Sequence, residues 1–278
     1  MDYETKASYD RDGRLLMFWV VQNNIRDEAG YEAFIQALQN NNLEYAVVKA
    51  IPFAYDIEPD INPAGPVIAW GSVVMDKVAH KKGWRPGTFL NDNHDQRIWT
   101  EAYGRDNMLN DDVEFYEFYK IPTYEGTRFI RPVDDIKRFT GTVVHIEELE
   151  NWKEATQRVA DEYSRLRPTT VCGVSGVKEI GMEWRFFVVA GRVISGSRYR
   201  QWGLSDVRRL EPQTAPWIFA QKMADRWQPS VAFVLDIASL ISGQHKVVEI
   251  NCINSAGFYA SDMNAVVAAI KSLPPSSI

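Results

Sequence analysis

The chain has 278 residues, 45% of them hydrophobic and 24% charged, which is typical of a globular protein with one large domain or two modest ones. Its net charge of -6 argues against a general nucleic-acid binder, because such proteins usually carry a basic excess. Two cysteines, Cys172 and Cys252, are too few for a disulfide framework or a cysteine-based zinc site. Both stand in apolar, strand-like surroundings, which predicts buried thiols in a reducing compartment.

The N-terminal residues show no basic segment followed by an apolar stretch, so no signal peptide is predicted. No apolar run approaches the roughly 18 residues that a membrane-spanning helix needs. We therefore expect a soluble, cytoplasmic protein.

The first hundred residues predict alternating strands and helices. Continuous apolar runs indicate buried strands, and apolar residues at helical spacing indicate the helices between them. In chain order the predicted elements are a strand over 15–22, a helix over 27–40, strands over 45–51 and 66–71, and a helix over 72–82. This β-α-β-β-α order predicts a small α/β domain with a mainly parallel sheet.

A domain junction is predicted near residue 110, after a short helix over 95–103. A domain over residues 1–110 then precedes one over 111–278, with subdomains 111–180 and 181–278. The later elements are strands over 128–132, 169–175, 183–189, 192–199, 231–237 and 246–250, with helices over 147–166, 215–227 and 262–273. The two strands 183–189 and 192–199 meet at a tight-hairpin signal. The second domain is therefore predicted to be α+β with mostly antiparallel strands.

Polar side chains end the last two predicted strands. Asp236 follows one apolar run, and Glu249 and Asn251 stand two residues apart in the other, so the latter two share a face. If the strands pair as a hairpin, Asp236 joins them at one end of the sheet. Two carboxylates and an amide oxygen are the hard ligands that Mg²⁺ prefers, with phosphate oxygens completing the octahedron. The alternative is that these residues only mark where the strands reach water.

A family resemblance rests on three stretches near the C-terminus. They are residues 233–238 (Phe-Val-Leu-Asp-Ile-Ala), 247–251 (Val-Val-Glu-Ile-Asn) and 254–259 (Asn-Ser-Ala-Gly-Phe-Tyr). Their order resembles the metal-binding end of the ATP-grasp superfamily, with an Asp on one strand, Glu-x-Asn on the next and a small-residue loop after it. The resemblance covers residues 115–270. It implies an α/β N-terminal domain followed by an α+β ATP-grasp fold, whose two subdomains clasp the nucleotide.

The same resemblance implies where the nucleotide is held. Residues 129–132 (Phe-Ile-Arg-Pro) are similar to the first nucleotide-contacting strand, where most members carry Lys before Pro. Here Arg131 takes that place, as in a phage- and bacteria-associated clade of the superfamily. The replacement suits the chemistry, because a guanidinium can bind phosphate oxygens through two parallel hydrogen bonds.

Two further segments resemble nucleotide contacts. Residues 137–141 are similar to the flexible segment that closes over the phosphates, which makes Lys137 a candidate contact, unless this is only a solvated charged turn. Residues 177–180 are similar to the hinge that holds adenine through backbone groups. The resemblance implies Lys178 and Ile180 as nucleotide contacts and Glu179 as an acid near the ribose. The alternative for Glu179 is a surface pair with Lys178.

The central hairpin carries the predicted catalytic residues. Glu183 and Arg185 are two residues apart on one strand and share a face, which also fits a structural ion pair. The family pattern, an acid, any residue and Arg followed by a returning Arg, implies a substrate or phosphate role for them. Arg185 and Arg198 would neutralise charge on the transferred phosphate. Arg200 is the alternative to Arg198 on the same face, and the sequence does not separate the two.

The resemblance implies a function and its cofactors. We expect an enzyme that uses ATP and Mg²⁺ to ligate a carboxylate to an amine, or less often a thiol, through an acyl phosphate. The partners are then a carboxylate substrate and a small-molecule or peptide acceptor, with no membrane or nucleic acid. Two alternatives stay open at this point: an ATP-dependent kinase on the same scaffold, and a nucleotide-binding module without catalysis.

Overall fold

The structure is a computed structural model that describes residues 17–25, 30–51, 54–135, 138–159 and 165–274. Within these ranges the strands form three sheets, each drawn from one continuous stretch of chain. None of the helices in these ranges combines the length and the apolar character needed to cross a membrane.

The first sheet is mainly parallel, as the sequence predicts. Its strand order is β3-β2-β1-β4-β5, and only β3 runs antiparallel to its neighbour. The elements are β1 (Phe18–Gln22), α1 (Tyr31–Asn40), β2 (Tyr45–Ile51), β3 (Asp56–Glu58), β4 (Val67–Trp70), α2 (Val73–Lys82) and β5 (Pro86–Gly87). The short edge strands β3 and β5 were not predicted, because they carry too few apolar residues for a periodic signal. Residues 15–16 and 27–29 of the predicted elements lie outside the described ranges.

The second sheet is antiparallel, with the strand order β6-β9-β7-β8. Its elements are β6 (Glu114–Glu117), β7 (Thr127–Pro132), β8 (Thr142–His145), α4 (Ile146–Val159) and β9 (Val171–Ser175), preceded by α3 (Gln96–Tyr103). The predicted helix over 147–166 extended too far, because residues 165–166 lie in a bend. Residues 160–164 are outside the described ranges.

The third sheet is also antiparallel, with the strand order β12-β11-β10-β13-β14. Its elements are β10 (Ile180–Val189), β11 (Arg192–Gln201), β12 (Leu204–Arg209), α5 (Ala215–Arg226), β13 (Ala232–Leu240), β14 (His245–Cys252) and α6 (Met263–Lys271). Successive strand residues point to opposite faces, so β10 contributes Phe186 to the core with α5 and Phe187 to the core with α6. Both faces are therefore covered, and the strand reads as one continuous apolar run.

The face of the third sheet that carries α6 also packs against the first sheet. Phe258, in the loop after β14, stacks on Trp70 of β4 with ring centroids 5.1 Å apart, and Phe187 and Val234 belong to the same core. Further along β10 and β13, the same face carries Arg185 and Asp236 instead of apolar residues. The helix α3 and the residues after it pack on the opposite face, beside α5. The domain boundary near residue 110 remains a prediction.

A buried histidine before α3 makes the stability of this region depend on pH. Burial lowers the pKa of His94 to about 4. Because the unfolded chain has a histidine pKa of about 6.5, the contribution of neutral His94 is complete above pH 6.5 and is lost as the pH falls through 4. We expect wild-type protein to lose about 3 kcal/mol from this group between pH 7 and pH 4. Urea unfolding at both pH values should show a weaker pH dependence in His94→Gln, and an equal dependence would contradict the assignment.

Candidate functional site

A cavity of about 580 Å³ lies between the second and third sheets. Strand β7 contributes Arg131 from one side, and β10, β13 and β14 contribute Arg185, Asp236 and Glu249 from the other. The third-sheet residues come from the same face as the α6 core, at the end that neither α6 nor the first sheet covers. The cavity therefore collects the polar ends of otherwise apolar strands.

The three residues predicted to bind metal lie together on β13 and β14. Asp236 and Glu249 are directly opposite each other in the strand pairing, as a hairpin requires. Asn251 Nδ2 donates a hydrogen bond of 3.0 Å to Glu249 Oε1. Asp236 is 1% exposed, whereas the Glu249 side chain is 27% exposed and lines the cavity. The donor set fits Mg²⁺, which takes a few protein oxygens and completes its shell with water and phosphate.

This set differs from a self-sufficient metal site. Among the residues that the structure describes, no group of three or more His, Cys, Asp and Glu side chains could hold a metal ion. The cluster offers two carboxylates and one amide, so a bound cation would draw its remaining ligands from a phosphorylated substrate. Metal and nucleotide would thus bind together.

Arg185 is held by Asp236 through two hydrogen bonds. Its Nε donates to Oδ1 at 2.9 Å and its Nη2 to Oδ2 at 2.7 Å, while Nη1 donates to the Gly257 carbonyl at 3.3 Å. Burial raises the pKa of Asp236 to about 6, and the charge of Arg185 opposes that shift. All three guanidinium nitrogens of Arg185 thus have protein acceptors. In this arrangement Arg185 orients Asp236 and the loop after β14.

Arg131 reaches the cluster from the facing sheet. Its Nη1 forms an ion pair with Glu249 Oε2 at 2.9 Å, and its guanidinium carbon lies 5.6 Å from the Trp99 ring centroid. Arg131 is therefore fixed on one side by a carboxylate and on the other by an aromatic face. The sequence analysis missed Trp99, because a tryptophan at a buried position of a short helix has no pattern that separates support of a site from core packing.

Of the two arginines on β11, the structure places Arg200 in the cavity lining and Arg198 outside it. The strand pairing shifts by one residue between them, so that Glu183 faces Arg200 and Trp184 faces Arg198. Arg198 forms an ion pair with Asp206 of β12. The shift is a β-bulge, which breaks the two-residue alternation on which the sequence argument relied.

The bulge also brings an aromatic pair into the cavity. Tyr199 donates a hydrogen bond of 2.9 Å to Glu183 Oε2, and Arg200 Nη1 donates one of 3.2 Å to Oε1 of the same carboxylate. The rings of Tyr199 and Tyr259 stack 5.0 Å apart with an interplanar angle of 13°. Burial raises the pKa of Tyr199 well above its usual value, so the phenol stays protonated. The sequence analysis missed the roles of Tyr199 and Tyr259, although Tyr259 ends the small-residue loop on which the resemblance rests.

The hinge between the second and third sheets contributes Lys178 and Ile180 to the cavity lining. Lys178 Nζ lies 2.8 Å from Asp111 Oδ1 and 3.0 Å from Asp112 Oδ1. Glu179 is exposed and does not line the cavity. The structure thus brings Lys178 and Ile180 to the site and leaves Glu179 at its margin.

The loop after β7 covers one side of the cavity. Lys137 lies outside the described residues, while Phe139, Thr140 and Gly141 line the cavity. A β-carbon at Gly141 would lie 2.6 Å from the Phe129 ring, so glycine permits the close approach of this loop to β7. The backbone of this segment is therefore placed to face a ligand.

Comparison with known families gives one match that spans most of the chain. The model of an ATP-grasp domain, the third family of its clade, matches residues 47–270. No curated protein matches the chain in sequence.

Similar folds occur among solved structures at low sequence identity. D-cycloserine synthetase DcsG has a TM-score of 0.61 at 8% identity, over 92% of this chain and 98% of that one. D-alanine–D-alanine ligase from Bacillus anthracis, complexed with ATP, has a TM-score of 0.54 at 13% identity, over 91% and 92%. ATP-grasp ligase PsnB, complexed with a phosphomimetic variant of its minimal precursor, Mg and ADP, has a TM-score of 0.52 at 15% identity, over 91% and 97%. These likenesses concern the fold, which is the mixed, several-sheet arrangement that the sequence predicts.

Proposed function

Because the chain belongs to the ATP-grasp superfamily, as a member of the clade family whose model it matches, we propose that it is an ATP- and Mg²⁺-dependent ligase that joins a carboxylate to an amine or a thiol. One observation carries the proposal: a single cavity holds the Asp236–Glu249–Asn251 cluster on one sheet and Arg131 on the facing sheet. Oxygen ligands for a cation and a guanidinium for phosphate thus face the same space.

The proposed nucleotide contacts divide between the two sheets. Arg131 binds phosphate oxygens, Lys178 binds the nucleotide, and the backbone near Ile180 holds the base. Asp236, Glu249 and Asn251 hold Mg²⁺, which lowers the charge of the phosphates when bound. Arg131 then exchanges Glu249 for phosphate, an exchange that suits a guanidinium because carboxylate and phosphate accept the same pair of hydrogen bonds. That Arg131 marks a phage- and bacteria-associated clade stays a prediction from its place before Pro132.

The proposed reaction has two steps. A carboxylate oxygen of the substrate attacks the γ-phosphorus of ATP, the bond from that phosphorus to the β,γ-bridging oxygen breaks, and ADP leaves. The amine then attacks the carbonyl carbon of the acyl phosphate, the carbon–oxygen bond to phosphate breaks, and the nitrogen loses a proton to solvent. The protein contributes positioning, neutralisation of charge and exclusion of water.

Arg200 is the residue we assign to the substrate carboxylate. Its side chain is 51% exposed and lines the cavity, with Nη1 engaged by Glu183. The Tyr199–Tyr259 pair forms the adjacent wall. We expect Arg200→Met to raise the KM for the carboxylate by about tenfold or more, and Arg198→Met to have a much smaller effect. Steady-state kinetics of the two variants decide the choice, and a larger effect at Arg198 would reverse it.

The function is tested with purified protein, ATP and Mg²⁺ against panels of carboxylates, amino acids and peptides, following release of ADP and phosphate. The proposal expects phosphate release that requires both a carboxylate and an acceptor, with a condensed product seen by mass spectrometry. A stable phosphorylated product formed without an acceptor would assign a kinase instead. Calorimetry that shows no Mg²⁺-dependent ATP binding would indicate that the site is not a catalytic nucleotide site.

A further inference from the structure

The second sheet is joined to the rest of the described chain by two neighbouring connections. Glu114 of β6 pairs with Val174 of β9, so the chain that enters the sheet at residue 113 runs beside the chain that leaves it at residue 176. The entering segment, residues 105–113, is anchored on the third sheet. Leu109 N donates to the Val247 carbonyl at 2.8 Å, and Lys246 Nζ donates to the Asp106 carbonyl at 2.6 Å.

Two aspartates at the end of this anchored segment hold the leaving segment. Asp112 Oδ2 accepts a hydrogen bond of 2.9 Å from Gly176 N, and Asp112 Oδ1 lies 3.0 Å from Lys178 Nζ. Asp111 Oδ1 accepts a second hydrogen bond from Lys178 Nζ at 2.8 Å. The approach is close, because a β-carbon at Gly176 would lie 2.9 Å from Asp112 Oδ2. The hinge backbone and the Lys178 ammonium are therefore fixed by the same carboxylates.

We propose that Asp111 and Asp112 are positioning residues that set Lys178 and the hinge in their nucleotide-binding arrangement before ATP arrives. The inference rests on the proposed function, since it assumes that Lys178 binds the nucleotide. An ammonium has three donors, and the two aspartates engage two of them, so one remains for a nucleotide oxygen. Ordering a free lysine side chain costs up to about 2 kcal/mol, and here that ordering is already present in the unliganded protein.

The charges of this group favour the same reading. Burial disfavours the charged ammonium, but the hydrogen bonds and charges of Asp111 and Asp112 outweigh it and raise the pKa of Lys178. Burial also opposes ionisation of Asp112, yet its bonds to Gly176 and Lys178 lower its pKa. All three groups are therefore ionised at neutral pH, and the arrangement persists across the range in which an ATP-dependent enzyme is assayed.

The test measures binding of Mg·ATP by calorimetry in wild type, Asp112→Ala and Asp112→Asn. We expect the Kd to rise by about 5- to 30-fold in Asp112→Ala and by less in Asp112→Asn, which keeps an acceptor for Gly176 N. Asp106→Asn is the matched control, because it removes the same charge from the same segment without touching Lys178. Its Kd should stay within about twofold of wild type.

A double-mutant cycle shows whether the aspartate acts through the lysine. In a Lys178→Met background, Asp112→Asn is expected to change the Kd no further, because the group that it positions is gone. An unchanged or tighter Kd in Asp112→Ala, or an equal effect of Asp112→Asn in both backgrounds, would overturn the inference while leaving the proposed function intact. Wild-type protein that binds no Mg·ATP would overturn both.

Discussion

Glu249→Gln is expected to lower ATP-dependent turnover by about a hundredfold to a thousandfold. Glu249 is the most accessible oxygen ligand of the Asp236–Glu249–Asn251 cluster and the ion-pair partner of Arg131. The amide keeps the size of the side chain and its hydrogen bonding to Asn251, but it removes the negative charge that a divalent cation requires. The loss should therefore appear in Mg²⁺-dependent turnover with little change in thermal stability.

The control for this prediction is Glu101→Gln on helix α3. Glu101 is exposed, and its substitution removes one negative charge at a distance from the cavity. Turnover is measured as phosphate release across a range of Mg²⁺ concentrations. If Glu249→Gln retains wild-type activity, the cluster on β13 and β14 is not the metal site, and the proposed function loses the observation on which it stands.

Arg185→Leu is expected to lower the free energy of unfolding by about 3–5 kcal/mol. The substitution would leave Asp236, 1% exposed and paired with Arg185 through two hydrogen bonds, as a buried carboxylate without a partner. The Gly257 carbonyl would also lose a donor. Chemical denaturation of the two proteins at neutral pH measures the difference.

A second variant separates loss of the pair from loss of packing. Removing both charges, in Arg185→Leu with Asp236→Leu, should recover most of the lost stability, because apolar groups can replace a buried ion pair at little cost. Turnover should stay absent in the double variant, since a proposed Mg²⁺ ligand is gone. A double variant as unstable as Arg185→Leu would show that the destabilisation arises from packing around the arginine.

Much of the fold could be predicted because its strands are long, apolar and bounded by turn signals. The hairpin of β10 and β11 and the pairing of β13 with β14 followed from apolar runs that end at Ala190-Gly191 and at Ser242-Gly243. The short strands β3, β5, β6, β8 and β12 were missed. Their stability comes from pairing with neighbours already in place, which leaves no periodic pattern in their own residues.

By itself the sequence determined which residue types stand at the ends of the apolar strands. An Asp at the end of an apolar run in β13 and Glu-x-Asn in β14 specify a shared face, because side chains alternate along a strand. Tertiary structure alone decided how these groups pair across sheets. Arg185 holds Asp236, Arg131 holds Glu249, and a one-residue bulge turns Arg200 and Tyr199 toward the cavity while Arg198 leaves it. Such contacts join residues far apart in the chain and depend on strand register, and register results from the packing of whole sheets.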